Sequence, residues 1–232
     1  MPDIQLHYVE QGQGQPLILL HGNGESCEYF ERQIPYFARD YRVIAIDTRG
    51  HGQSPRGEKP FTIKQFAEDL HDFMDEHAIG KALFMGFSDG GNIALTFALK
   101  YPERVEKMVL NGANLFPNGV KARYQWPIEI GYRIAKLFSK KSEEARQNAE
   151  MLGLMVNEPH IESAELARLT MPVLVVAGTR DMIKEAHTKL IYNSLPNAQL
   201  AILKGDHFVA NKNHEAFNAA VEAFFAPQQK NS

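Results

Sequence analysis

The 232-residue sequence predicts an α/β fold: a mostly parallel, twisted sheet of about seven strands with helices on both faces. Three observations carry that expectation. Strand-sized apolar runs alternate with segments of helical period, the pattern of a parallel sheet covered on two sides. Several runs, such as Leu17-Ile18-Leu19-Leu20, are apolar without a break, as strands buried on both faces require. Finally, Gly86-Phe87-Ser88-Asp89-Gly90 has the form Gly-x-Ser-x-Gly and stands between one such run and a helix-like stretch.

In chain order, strands are expected at Ile4–Val9, Leu17–Leu20, Val43–Ile46, Ala82–Phe87, Val105–Leu110, Val173–Ala177 and Gln199–Leu203. Helices are expected at Glu28–Arg39, Ile63–His77, Asn92–Tyr101, Ile183–Ser194 and His214–Phe225. Thr62, with Gln65 three residues on, has the form of a capping box. Residues 115–165 break the alternation and read as two or three helices, roughly Val120–Phe138, Ser142–Asn157 and Ser163–Leu169. The polar tail Pro227–Ser232 is expected to fray.

With 44% apolar residues the chain can bury a full core, and one domain is the natural organisation. A net charge of −3 argues against nucleic acid or an anionic membrane held by bulk electrostatics. The longest apolar runs fall far short of a membrane span. Met1-Pro2-Asp3-Ile4 lacks the start of a signal peptide. The single cysteine, Cys27, cannot form an internal disulfide, so a reducing cytoplasm is expected. The expected partner is a small molecule, with no nucleic acid and no membrane, and the chain a monomer or homodimer.

A serine on a sharp strand-to-helix turn presents its hydroxyl to solvent and leaves backbone amides facing whatever approaches. Ser88 is therefore the candidate nucleophile, with a helix N-cap as its ordinary alternative. Asp181 and His207 each follow an apolar run, in the chain order Ser, Asp, His. His207 would take the serine proton and return it to the leaving group. Asp181 would hold the imidazole in one tautomer, unless it is only a turn or cap aspartate. Asp206 is a poorer partner, being adjacent to His207.

Two further segments extend the pattern. Leu17–Leu20 runs into His21-Gly22-Asn23-Gly24, and Val43–Ile46 into Asp47-Thr48-Arg49-Gly50-His51-Gly52-Gln53-Ser54. With these the chain resembles the α/β-hydrolase superfamily, in particular small esterase-like members, over nearly its whole length apart from residues near 115–165. The resemblance implies that 115–165 is a small helical cap inserted over the active site. It also implies seven strands rather than eight, since few residues precede Gln5-Leu6-His7-Tyr8. The backbone N–H groups of Asn23 and Asp89 would form the oxyanion hole. His21 would brace that loop, Arg49, His51 and Ser54 would tie loops together, and Cys27 would simply pack. The Asp89 side chain would cap the following helix or, turned inward, face a basic group on the substrate. Phe116, Tyr124, Trp126 and Met155 are expected to line an apolar pocket above Ser88. The cations at 121, 123, 133, 136, 140 and 141 are expected on a solvated outer face.

The implied function is a serine hydrolase acting on small carboxylic esters through an acyl-enzyme. No cofactor and no metal are expected: ligand-spaced His/Cys/Asp clusters and a dinucleotide fingerprint are both missing from the sequence. Aminopeptidase, C–C bond hydrolase, thioesterase, lactonase and perhydrolase chemistry also run on a serine in this family. Its dehalogenases and epoxide hydrolases use an aspartate nucleophile instead. A non-catalytic ligand binder is the alternative from a different class.

Overall fold

The computed structural model describes residues 3–226, so the expected fraying of Pro227–Ser232 lies outside the described residues. Strand β1 (Tyr8–Gln11) starts later than its apolar pattern suggests. Residues ahead of it are committed to the turn that follows β3: the His7 N–H donates to Ser54 Oγ and the His7 carbonyl accepts from Asp47 N. Strand β2 (Pro16–Leu20) follows. The helix expected at Glu28–Arg39 is instead a 3₁₀ turn, Cys27–Phe30, and a single helical turn α1 (Ile34–Phe37). Pro35 sits at the start of α1, where its missing N–H costs nothing, but it could not continue a helix begun at residue 28.

Next come β3 (Arg42–Ile46), α2 (Ile63–Glu76), β4 (Ala82–Phe87), α3 (Asp89–Lys100) and β5 (Val105–Asn111). Only half of the expected capping box forms at α2. Thr62 accepts from Gln65 N, but the Gln65 amide donates onward to Asp69 Oδ1 rather than back to Thr62. Helices α4 (Ala122–Phe138) and α5 (Glu143–Asn157) pack on each other, and Ser163–Arg168 forms a 3₁₀ turn. The chain then returns through β6 (Val173–Gly178), α6 (Glu185–Ser194), β7 (Ala198–Leu203), the one-turn α7 (Val209–Lys212) and α8 (His214–Phe225). Helix α6 begins two residues late because Ile183 bridges to Val120 as isolated β-structure.

The seven strands form one sheet in the order β1-β3-β2-β4-β5-β6-β7, with only β1 antiparallel. Alternate side chains of each strand enter different cores. Ile18, Leu20, Ile44 and Phe84 face Phe66, Leu70, Phe97 and Ile191 of α2, α3 and α6. Leu17, Leu19, Val43 and Met85 face Phe37, Phe217, Val221 and Phe225 of α1 and α8. The unbroken apolar runs are thus explained by burial on both faces. No described helix is long and apolar enough to cross a membrane.

Candidate active site

At the C-terminal end of β4 the chain reverses into α3 through Ser88, which adopts φ +52 and ψ −119. Such a backbone is strained for a residue with a side chain. It persists because the turn is held on both sides: Ser88 N donates to Asn111 O, and Ser88 O accepts from the amides of Gly91 and Asn92. A Cβ at Gly86 would stand 2.4 Å from Gly90 O, and one at Gly90 would stand 2.0 Å from Leu20 O. Neither position admits a side chain, which is why glycine flanks the serine. Although Ser88 occupies the N-cap position, its hydroxyl makes no capping bond. It lies 3.0 Å from His207 Nε2 instead.

His207 follows β7 and is buried, with its Nδ1 2.7 Å from Asp181 Oδ1. Asp181, on the turn after β6, also accepts from Ile183 N at 3.0 Å and from Gly178 N at 3.1 Å. Burial alone would raise its pKa, but His207 and these two amides outweigh that and hold the carboxyl below its ordinary value. An ionised Asp181 places the imidazole proton on Nδ1, leaving Nε2 free to accept the Ser88 hydroxyl proton. Asp206 is engaged elsewhere, accepting from Lys212 Nζ and Phe208 N.

The loop after β2 is braced by His21. Its Nε2 accepts from Thr48 N at 3.0 Å, so Nδ1 carries the proton and donates to Gly22 O at 2.7 Å. Burial pushes its pKa down to about 4, keeping it neutral. Asn23 ties the same loop to α5 by donating from Nδ2 to Met151 O. Among the described residues, the backbone amides of Asn23 and Asp89 donate to no protein acceptor. Behind the loop, Asp47 accepts from Cys27 N, Gln53 N and His7 Nδ1. His7, Cys27 and Asp47 are grouped closely enough to hold a metal ion. Asp47 already spends its oxygens on these donors, however, and burial raises the Cys27 thiol to about 12, which disfavours the thiolate a metal needs. Arg49 is fully buried in a bidentate pair with Asp69.

Ser88, Asp89, Asn114, Val120, Met155, Glu158, Met182 and Ile183 enclose a cavity with room, as the side chains stand, for about one water molecule. A larger cleft between α4 and α5 and another beside Lys64 and Arg168 contain none of Ser88, Asp181 and His207. Of the four expected pocket residues, Met155 alone lines the Ser88 cavity. Phe116 packs edge-on against His187. Tyr124 is 38% exposed, and Trp126, 68% exposed, stands on the solvent side of α4, because the buried side of that helix is the one bearing Gln125 and Ala135.

A family model described as alpha/beta hydrolase fold matches residues 15–132. The chain belongs to the α/β-hydrolase family. This hydrolase is 27% identical to 3-oxoadipate enol-lactonase 2 of Acinetobacter baylyi, over 95% of the chain and 93% of the relative. It is 28% identical to a putative carbamate hydrolase of Stutzerimonas stutzeri, over 96% and 97%. Among solved structures it is similar to a meta-cleavage product hydrolase from Pseudomonas fluorescens IP01. There the identity is 26%, the coverage 96% and 94%, and the TM-score 0.78.

Burial pushes three carboxylates of the hydrolase above their ordinary range, and one of them, Asp89, departs from expectation. Asp89 does not cap α3: no backbone amide donates to its side chain. Oδ1 accepts from Asn92 Nδ2 at 3.0 Å, while Oδ2 is buried without a partner. Burial raises its pKa to about 6. Glu158 lines the same cavity and accepts from Ile63 N at the start of α2; burial raises its pKa too. Glu158 lies just past the end of α5, and nothing in its local sequence marks it. Glu25, in the braced loop, also has a buried carboxylate oxygen without a partner, and burial raises it to about 7.

Proposed function

We propose that the protein is a serine hydrolase of small carboxylic esters, with Ser88 as nucleophile, His207 as general base and acid, and Asp181 as the orienting carboxylate. The reading rests on one observation above all, the continuous hydrogen-bonded series from Asp181 through His207 to Ser88. Ser88 Oγ attacks the ester carbonyl carbon as its proton passes to His207 Nε2. The tetrahedral oxyanion is met by the amides of Asn23 and Asp89; removing one such donor costs roughly 10²–10³ in turnover. His207 then protonates the departing alcohol, and water activated by His207 releases the acid. Helices α4 and α5 serve as the cap, and the reducing cytoplasm is the expected setting. Lactones and carbamates, the substrates for which relatives are named, are the competing classes.

The cavity refines the substrate. Asp89 Oδ2 is a buried acceptor lacking a donor, with Glu158 on the same wall. Leaving such a group unpaired is costly. A protonated amine on the acyl side of the ester would supply the missing partner.

Two measurements test this. Fluorophosphonate titration should label the protein stoichiometrically and fail with Ser88→Ala and His207→Ala; an unlabelled folded protein would point to a ligand binder. For the amine, kcat/KM for the p-nitrophenyl ester of alanine is compared with that for the isobutyrate ester, in which a methyl group of similar size replaces the amine. The alanine ester should be preferred, and Asp89→Asn should reduce the preference at least about tenfold. An unchanged ratio in the variant rejects the amine role and leaves the triad reading intact.

A further inference from the structure

The outward face of α4 is inverted relative to an ordinary surface helix. At 3.6 residues per turn, Trp126, Ile130, Ile134 and Leu137 fall within about 80° of one another. They are 68%, 59%, 56% and 73% exposed, with Phe138 beside them. The opposite side, with Gln125 and Ala135, is the buried one. A surface helix normally turns its polar residues outward. A contiguous exposed apolar stripe of this kind marks an interaction site.

The charges around the stripe indicate its occupant. Arg123, Arg133, Lys136, Lys140 and Lys141 are all exposed on or just beyond the helix, against Glu129 alone in the same stretch. Glu143 and Glu144 follow at the start of α5, where Arg146 pairs with Glu143. The whole chain carries −3, so this basic segment is a local reversal of sign that the net charge conceals. A second copy docked by the same face would bring these cations together, which like-charge repulsion opposes. Aromatic and aliphatic side chains framed by Lys and Arg are instead the composition of a helix lying in a lipid interface. We propose that this face of α4 docks the protein peripherally on a lipid surface bearing anionic headgroups, with Trp126, Ile130 and Leu137 entering the interface and the cations meeting the headgroups.

The test uses the full-length protein and large unilamellar vesicles of phosphatidylcholine, with and without phosphatidylglycerol. Trp126 is the only tryptophan, so its emission reports this face directly. Vesicles containing phosphatidylglycerol should shift the emission to the blue and carry the protein through flotation. Partitioning should be at least about tenfold stronger than onto neutral vesicles and should weaken with salt. Ile130→Ser with Leu137→Ser should abolish it and Arg133→Gln with Lys136→Gln should weaken it, both leaving turnover of a soluble ester unchanged. No partitioning, or equal partitioning onto both vesicle types, overturns the proposal. So does a blue shift that appears with protein concentration alone, accompanied by a dimer in sedimentation, because a second copy would then cover the face.

Discussion

Ser88 and Asp89 are neighbours held under opposite kinds of strain, one in its backbone and one in its charge. The serine keeps a positive φ because its turn is over-determined on both sides. Ser88→Ala retains that backbone and should lose turnover with almost no change in melting temperature. The aspartate is 7% exposed with one oxygen unpartnered, so ionising it disfavours the folded state. Its pKa is raised from 3.8 to about 6, so this group's stabilising contribution is complete below pH 4 and is lost as pH rises through 6. Asp89→Asn should therefore match the parent's stability near pH 4 and exceed it by about 1–3 kcal/mol above pH 7, as measured by denaturant titration at each pH. The same titration bears on substrate choice. The preference for the alanine over the isobutyrate ester should fall as pH drops below about 6.

At the scale of elements, α5 both anchors the loop after β2 and limits the cavity. Met151 O accepts from Asn23, while Met155, one turn on, narrows the space above Ser88. An acyl group larger than acetyl must displace Met155 or Met182, both flexible side chains. Met155→Ala should raise kcat/KM for hexanoate relative to acetate p-nitrophenyl esters by about tenfold, while leaving acetate turnover near that of the parent. An unaltered chain-length profile would show that acyl groups enter elsewhere. The His207 loop depends on a neighbour that its own sequence does not announce: a Cβ on Gly112, at φ +65, would stand 2.6 Å from the imidazole. That glycine closes β5, and only the packing of β7's loop over it reveals why it must be small.

Across the whole molecule, the turn after β3 links elements far apart in sequence. Arg49 reaches Asp69 on α2, Asp3 near the start of the chain, and the carbonyl of Arg56. Removing the guanidinium strands Asp69 in the interior, so Arg49→Ala should destabilise the protein by about 3–5 kcal/mol in urea titration. A loss below about 1 kcal/mol would mean that water replaces the guanidinium. The sheet and the turn at Ser88 were legible in sequence because they are repeated or local: apolar runs long enough to be buried twice, and glycines that a tight turn requires. The helix expected at Glu28–Arg39 was not, because apolar residues there pack against α8 from a 3₁₀ turn and a single helical turn.

The sequence by itself determined the parallel α/β framework, the turn that exposes Ser88, and the order of Ser88, Asp181 and His207 along the chain. Each follows from constraints acting over a few residues: backbone dihedral angles, hydrophobic period, and space beside the chain. Tertiary structure alone decided that Asp89 is buried with an oxygen unpaired. It also decided that Glu158 joins the Ser88 cavity and that Trp126 faces outward rather than over the serine. These outcomes depend on which surfaces of distant segments are pressed together. A residue's type does not specify that, since burial and charge environment belong to the packing and not to the residue.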